Sequence, residues 1–312
     1  MISCTEFILA YNALFTYLDG KYGRQELDNL WDYLFKPTGK GIPLINYAKK
    51  DGLKGCVAYW EGICKEEAAE VTRMYNLEEG WIFSQMHRCP SKGRLLEMKE
   101  SLGIEPYGDY CDHCDYYRAA LEEAGLTWIR NHTGVDSASC STIIFDPKVF
   151  KGVMRKNGNT VTMEVHAAEH EYFHPDFHSS MNMGIQYLGQ YHGEDDVKAY
   201  LAMFARDTYK KLIRQMQREP LEALANHIRQ TYILEKAEDA LTLETDGSRL
   251  SVRIVYCPAV KHLRKTGRDV SRWFSMTTSV VMETLATEGG LRFAMECYDP
   301  ETGAATYHFT KI

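Results

Sequence analysis

The chain has 312 residues, of which 45% are hydrophobic and 25% are charged, and its formal net charge is −7 with a pI near 5.9. This mixture is typical of a globular protein and excludes a disordered chain, a collagen-like chain and a coiled-coil rod. The mildly acidic balance argues against nucleic acid as a partner, because nucleic-acid-binding surfaces need clustered Lys and Arg. At roughly 150 residues per domain, the length predicts about two domains.

Nine cysteines, an odd number, do not indicate a disulfide framework, because a chain of this size can form a core without such cross-links. We therefore expect a reducing intracellular setting, in which clustered cysteines bind metal or take part in catalysis. The first residues lack a positively charged segment, and Glu6 interrupts the apolar stretch, so no export signal is predicted. No window holds about 18 uninterrupted apolar residues. We predict a cytoplasmic protein with no membrane partner.

Two parts of the chain share a series of landmarks in the same order. Gly23 and Cys89 are 66 positions apart, and Gly193 and Cys257 are 64 positions apart. Each cysteine precedes a proline, and a Gly-Leu pair begins 36 positions after the first cysteine and 33 positions after the second. The alternative is that two segments share Gly and Pro punctuation by accident. We interpret the landmarks as a tandem repeat.

Each repeat is predicted to begin with two or three helices, since apolar residues of the second half recur at helical spacing. These residues are Val197, Tyr200, Leu201 and Phe204, followed by Leu221, Leu224, Ala225 and Ile228. Strands come next, around a turn at 78–80 in the first half and a turn at 246–247 in the second. A further helix, such as 277–285, precedes two last strands predicted at 291–298 and 304–309.

Helices followed by antiparallel strands predict an α+β fold class. The expected architecture is two repeated units in a pseudo-twofold tandem, each with helices packed on an antiparallel sheet. The predicted domains are a first repeat over 1–150, a histidine-rich connection over 151–180 and a second, degenerate repeat over 181–312.

The densest group of cysteines contains Cys111 and Cys114, which are separated by two residues. This spacing is used for zinc binding and for redox chemistry. Because no second such pair is present, further ligands would come from elsewhere, and Cys89, His132 and Cys140 are the candidates. Two or three thiolates with one imidazole would then complete a zinc site. The alternative is that these cysteines are ordinary small hydrophobic residues.

A series of residues within 80–146 follows one family pattern. The residues are Cys89-Pro90, Tyr110-Cys111, Asp115, Arg130-Asn131-His132-Thr133-Gly134, Cys140 and Phe145. Their order resembles the L-2-amino-thiazoline-4-carboxylic acid hydrolase-like family, and the resemblance extends loosely to the helices before them. It implies hydrolytic opening of a heterocycle such as a thiazoline. The last hairpin is also similar to 4-vinyl-reductase-type domains, which are related to transport-particle subunits and to aromatic-sensing regulators.

Some of those sensors hold zinc with cysteines of this hairpin and of the preceding helix. The similarity implies zinc ligands here at Cys111 or Cys114, at Cys140, and at His132, which stands where the sensors have a cysteine. The second repeat keeps Cys257-Pro258 but has Trp273-Phe274-Ser275-Met276 in place of the Cys111 region. We therefore expect the second repeat to supply structure, or one wall of a shared pocket.

A second polar cluster lies in the connection, where four histidines follow one another at steps of four positions. On a helix they would share one face, and residues 170–174 match the His-Glu-x-x-His zinc pattern, which makes His170 a candidate metal ligand. Pro175 limits such a helix, so a polar turn is expected beyond it. The alternative is a solvated linker that happens to be rich in histidine. The residues predicted to bind substrate are Arg130, His174, Asp176 and His178.

We expect a small-molecule hydrolase that acts on a C–N or C–S bond of a heterocyclic or amidine substrate. In one chemistry Cys111 or Cys89 is the thiolate nucleophile, His113 or His132 is its base, and Asp115 orients the base. In the other, a metal held by thiolates or histidines activates water. The residues do not decide between them.

The alternative function is a zinc-stapled protein that binds a small aromatic or hydrophobic ligand, as the sensors do. A scaffold like the transport-particle subunits is a third hypothesis. Zinc is the candidate cofactor, and no nucleotide cofactor is predicted, because the sequence has no Gly-rich phosphate loop. The expected partner is a small molecule, and homodimerisation is left open.

Overall fold

The computed structural model describes residues 1–35, 43–132 and 134–312, so Thr133 of the family pattern lies outside the described residues. Contacts divide the chain into two compact units. The terminal unit consists of Met1–Gly23, Leu102–Ile104 and Pro175–Ile312, and the central unit consists of Arg24–Ser101 and Glu105–His174. None of the helices in the described part of the chain has the length and apolar character of a membrane span.

The central unit places helices against a five-stranded antiparallel sheet. Its helices are α2 (Arg24–Phe35), α3 (Pro43–Glu66), α4 (Pro90–Leu102) and α5 (Tyr117–Glu123). Its strands are β1 (Glu70–Asn76), β2 (Trp81–Arg88), β3 (Thr127–Asn131), β4 (Cys140–Phe145) and β5 (Val161–Val165), in the order β3-β4-β2-β1-β5. Buried Leu44, Cys56, Leu121, Trp128 and Ile144 join α3 and α5 to the sheet, because each element turns its apolar face inward.

The terminal unit has seven α-helices among its described residues and a four-stranded antiparallel sheet. The helices are α1 (Phe7–Tyr22), α6 (Phe177–Tyr191), α7 (Glu194–Thr208), α8 (Lys210–Met216), α9 (Pro220–Leu234), α10 (Pro258–Lys265) and α11 (Met276–Glu288). The strands are β6 (Leu241–Thr245), β7 (Arg249–Ile254), β8 (Leu291–Tyr298) and β9 (Ala305–Lys311), in the order β6-β7-β9-β8. All eight apolar residues expected to line helix faces in this half are buried.

The α+β prediction is confirmed, with two antiparallel sheets and helices. The turn predicted at 78–80 joins β1 to β2, where Gly80 adopts a φ of 75° that favours glycine, and the turn at 246–247 joins β6 to β7. Read from the opposite edge, β8-β9-β7-β6 matches β3-β4-β2-β1 strand for strand. A tandem duplication would account for this match and stays our interpretation.

The two units differ from the predicted repeats in which segments they contain. Helix α1 was expected in a first repeat over 1–150, but it packs against α6 and α7 of the terminal unit. The reason is its apolar surface: Phe15 and Leu18 are fully buried, and the Tyr200 hydroxyl donates to the Ala10 carbonyl at 2.8 Å. The expected connection is also not a separate segment, because its strand β5 pairs with β1.

Three side chains of α1 converge on one carboxylate at the start of α7. Lys21 Nζ, Tyr17 Oη and Tyr22 Oη donate to Asp196 Oδ1 at 2.6, 2.7 and 2.7 Å. Burial by itself would raise the pKa of Asp196, but the three hydrogen bonds outweigh it and lower the pKa below the ordinary 3.8. The ionised carboxylate therefore stabilises the folded state.

Replacing Asp196 by Asn should lower the free energy of unfolding by about 2 kcal/mol at neutral pH, because the carboxylate charge that strengthens all three hydrogen bonds from α1 is lost. A carboxylate with a lowered folded pKa stabilises above its unfolded pKa, and this contribution is lost as the pH falls. The difference from the parent should thus shrink toward about pH 3 in urea unfolding. Asp195→Asn, at an exposed neighbouring position, is the control. Equal losses for both variants at neutral pH would contradict the prediction.

Candidate functional site

The structure brings four cysteines of the first half into one neighbourhood of the central unit. They are Cys89, Cys111, Cys114 and Cys140, and each is partly buried. Cys89 follows β2 and Cys140 begins the neighbouring β4, where it pairs with Met86. The Cys89 backbone N–H donates to the Ala138 carbonyl at 2.6 Å, which ties the two strand ends together. The other two thiols lie on a 3-10 helix over Tyr110–Tyr116.

These four thiols lie near enough to influence one another electrostatically. Burial raises the pKa of Cys111, Cys114 and Cys140 to about 11 in each case. Burial also raises the pKa of Cys89, and the charges of the other three thiolates raise it further. A neutral thiol is the stable form of each residue near pH 7, so none of the four is an activated thiolate by itself.

Two cations, one between Cys89 and Cys111 in sequence and one between Cys114 and Cys140, oppose the effect of burial on these thiol pKa values. Lys92, on the first turn of α4, is 7% exposed and lowers the pKa of Cys111. Arg130, on β3, has a side chain that is 3% exposed, and it lowers the pKa of Cys114 and Cys140. A buried cation near thiols favours their ionised form, so Lys92 and Arg130 offset part of the effect of burial on these pKa values.

His113 is the imidazole that reaches a thiol. Its Nδ1 bonds to the Tyr110 backbone carbonyl, so Nδ1 carries the proton and Nε2 presents a lone pair. Nε2 lies 3.6 Å from Cys114 Sγ. Burial lowers the pKa of His113 to about 4, which keeps the ring neutral. A neutral imidazole with this tautomer can accept a thiol proton or bind a metal.

The predicted nucleophile set of Cys111, His113 and Asp115 is not assembled as expected. Asp115 accepts two hydrogen bonds from Arg130, from Nε at 3.0 Å and from Nη2 at 3.2 Å. It also pairs with His132 Nε2 at 3.2 Å. Asp115 therefore orients an arginine and His132, whereas His113 is oriented by a backbone carbonyl.

His132 was expected to be a zinc ligand or a base, but both of its ring nitrogens face other groups. Nδ1 accepts from Arg130 Nη2 at 2.9 Å, and Nε2 faces Asp115. The histidine that adjoins the cysteines is His113 instead. The position of each histidine explains this, because His132 follows β3 whereas His113 lies between the two thiols of the 3-10 helix.

Glu67 is a residue of this region that the sequence did not single out. Burial raises its pKa, and the nearby His174, His113 and Arg94 oppose that change. It follows α3, and the next residue, Ala68, has a φ of 50°, which is uncommon outside glycine. Such backbone strain is enriched at functional sites. No motif or spacing in the sequence had indicated a role for the Glu67 carboxyl.

The helix that the His-Glu-x-x-His pattern requires does not form over residues 170–174. The pattern needs a continuous helix, but a 3-10 helix ends at Glu169, His170 is extended, and α6 begins only at Phe177. The helical spacing that made His170 a candidate metal ligand is therefore absent. His174 is 6% exposed and bonds through Nδ1 to Glu66, so the connection is fixed to the end of α3.

The predicted substrate-binding residues fall into both units. Arg130 and His174 belong to the central unit, whereas Asp176 and His178 belong to the terminal unit. Asp176 accepts from Ser179 Oγ at 2.7 Å and pairs with His262 at 3.2 Å, near the start of α6. Its side chain makes no capping hydrogen bond to the backbone of α6 and is instead engaged by these two side chains.

No disulfide bond joins any two of the nine cysteines, all of which are described. No protein-family model, no curated protein and no solved structure matches the chain.

Proposed function

We propose that the central unit is a zinc-binding module in which Cys89, Cys111, Cys114 and Cys140 hold one ion. The observation that carries this proposal is the convergence of four thiols from three separate segments around two buried cations. Thiolates are the ligands that zinc prefers in structural sites. The ion would staple the end of β2, the 3-10 helix and the start of β4.

The donor set fits such an ion in its chemistry. Metal binding deprotonates thiols whose pKa is high, and Lys92 and Arg130 would offset the excess negative charge of four thiolates. Among the described residues, no three of these sulfur atoms lie within 4.8 Å of one another. Ligand atoms of a tetrahedral zinc–thiolate site are roughly 3.8 Å apart, so loading would draw the segments together.

A second candidate function is hydrolysis of a small heterocyclic or amidine substrate, in keeping with the family resemblance. The observation that favours it is the 3.6 Å contact between His113 Nε2 and Cys114 Sγ, beside a carboxyl at Glu67. In this arrangement His113 accepts the Cys114 proton, and Glu67 holds a proton for the leaving nitrogen. A zinc ion held by four thiolates has no open position for water, so this hydrolysis is an alternative to the zinc site and not an addition to it.

Metal analysis of single Cys→Ala variants tests the first proposal. Each of the four substitutions should remove the zinc of the central unit and lower the melting temperature. Zinc affinity should fall by more than the roughly 10–100-fold that is lost when a residue supporting a ligand is removed. Cys56→Ala is the matched control, because Cys56 is a buried thiol of the same unit that packs in the apolar core. Zinc retained by all four variants would contradict the module.

The same variants separate the two functions when turnover of a 2-aminothiazoline carboxylate is measured. Hydrolysis by a thiol nucleophile predicts that Cys114→Ala and Glu67→Gln abolish turnover while Cys89→Ala retains part of it. A zinc staple predicts similar losses of metal and stability for all four cysteines and no special role for Glu67. Absence of turnover by the parent chain would remove the second candidate for this substrate and leave the first in place.

A further inference from the structure

Three potential metal ligands of different types meet inside the terminal unit. Cys4 lies on the 3-10 helix before α1, His178 lies in the first turn of α6, and Glu235 directly follows α9. They are 0%, 1% and 6% exposed. One ligand atom from each lies within 4.8 Å of the other two. Widely separated parts of the chain thus present a thiol, an imidazole and a carboxylate to one point.

The carboxylate of this group is held in a fixed orientation. Glu235 Oε1 accepts from the Ser3 hydroxyl at 2.8 Å and from the Cys4 backbone N–H at 2.6 Å. Its other oxygen, Oε2, lies 2.9 Å from His178 Nε2. Burial by itself would raise the pKa of Glu235, but His178 and the two donors lower it to about 2. Carboxylates that bind metals are held in this way by hydrogen bonds from residues behind them.

The hydrogen-bonding capacity of the His178 imidazole is less completely used than that of the Glu235 carboxylate. His178 Nδ1 is buried and has no hydrogen-bond partner among the described residues. A buried polar atom without a partner costs free energy, so a purely structural His–Glu pair leaves part of this ring uncompensated. A further donor lies nearby, since the Cys257 thiol, 6% exposed, is close enough to interact electrostatically with Glu235.

We infer that Cys4, His178 and Glu235 form a second metal site, which binds a zinc-class divalent cation inside the terminal unit. One sulfur, one nitrogen and one oxygen ligand are a set that suits zinc among the divalent ions, because zinc accepts all three types. Three protein ligands leave one position for water or for Cys257. This site shares no residue with the four-cysteine cluster of the central unit and does not depend on it.

The binding step balances through protons. The cation takes the place of the proton between His178 Nε2 and Glu235 Oε2, and it displaces the proton of the Cys4 thiol. In a neutral His178 ring the displaced proton moves from Nε2 to Nδ1, and the Cys4 thiol proton passes to buffer, so binding releases one proton as the metal–ligand bonds form. Nitrogen and oxygen ligands of a tetrahedral zinc ion are roughly 3.4 Å apart, so the 2.9 Å His–Glu contact needs to open only slightly.

Cobalt(II) titration of the metal-free full chain tests this site, because a cobalt–thiolate bond gives a charge-transfer absorption band. In a Cys111→Ala and Cys114→Ala background, which removes the central site, we expect one equivalent of cobalt with thiolate absorption and measurable proton release. Cys4→Ala should remove the band and weaken binding at least about 10–100-fold. Cys297→Ala is the matched control, since Cys297 is an exposed thiol of the same unit.

A second measurement uses chains with the central cysteines intact, in case that background does not fold. The parent should then bind one equivalent more than Cys4→Ala or His178→Gln, with circular dichroism showing that both variants are folded. If both variants bind as much cobalt as the parent, the terminal site is wrong, whatever becomes of the central one. If the parent binds one equivalent that only the central cysteines remove, the central proposal survives and this one fails.

Discussion

Replacing Phe15 by alanine is expected to destabilise the terminal unit by about 3–5 kcal/mol, the usual cost of truncating a buried aromatic side chain. Phe15 is 0% exposed on α1, which packs against α6 and α7. Amide hydrogen exchange followed by mass spectrometry should show faster exchange in α6, α7 and the β6–β9 sheet. The predicted first repeat over 1–150 would instead place the effect in the β1–β5 sheet of that repeat.

Trp31 offers a matched substitution only 16 positions further along the chain. It is also 0% exposed, but it lies on α2 in the central unit, where Arg24 stacks over its ring and Tyr116 contacts its edge. Trp31→Ala should accelerate exchange in the β1–β5 sheet. If Phe15→Ala and Trp31→Ala accelerate exchange in the same strands, the division of the chain after Gly23 is wrong.

Replacing Arg130 by glutamine is expected to weaken zinc binding at the four-cysteine cluster by about 10–100-fold, although no thiol is removed. Four thiolates around a divalent cation leave excess negative charge, and Arg130 is a cation whose buried side chain lowers the pKa of Cys114 and Cys140. Its loss also leaves the Asp115 carboxylate without its two-point partner. Competition with a chromophoric chelator measures the affinity.

Arg130→Lys is the companion variant, because it keeps the charge and gives up the forked pair with Asp115. We expect its zinc affinity to lie closer to that of the parent than to that of Arg130→Gln. Equal weakening by both substitutions would assign the effect to the geometry of the Asp115 pair. An unchanged zinc affinity for Arg130→Gln would show that the charge of Arg130 does not contribute to zinc binding at this site.

Local patterns in the sequence predicted many of the secondary-structure elements. The helical spacing of Val197, Tyr200, Leu201 and Phe204 and the glycine turn before β2 are local properties, and both are confirmed. The histidine spacing in the connection was misleading, because a periodic pattern is necessary for a helix but not sufficient. Glu70 receives a hydrogen bond from the Ala167 N–H, and Glu66 bonds to His174, so tertiary partners hold this segment in an irregular conformation.

The four-cysteine neighbourhood was partly predictable from positions along one turn and from the pairing of neighbouring strands. Cys111 and Cys114 are neighbours along one turn. Cys89 directly follows β2 and Cys140 begins β4, two strands that an antiparallel sheet makes adjacent. The choice between His113 and His132 was not predictable, because it depends on which way each ring turns. Arg130 and Asp115 engage both nitrogens of His132, and no one-dimensional spacing contains that information.

The sequence by itself determined the α+β class, the hairpins and the positions at which thiols accumulate, because these follow from local periodicity, turn chemistry and residue type. Only the tertiary structure decided that α1 belongs with the terminal unit and that Cys4, His178 and Glu235 meet. Cys4 and Glu235 are 231 positions apart, and their contact depends on where buried apolar helix faces find partners. That pairing arises from the hydrophobic burial of whole elements, which acts between segments regardless of their separation along the chain.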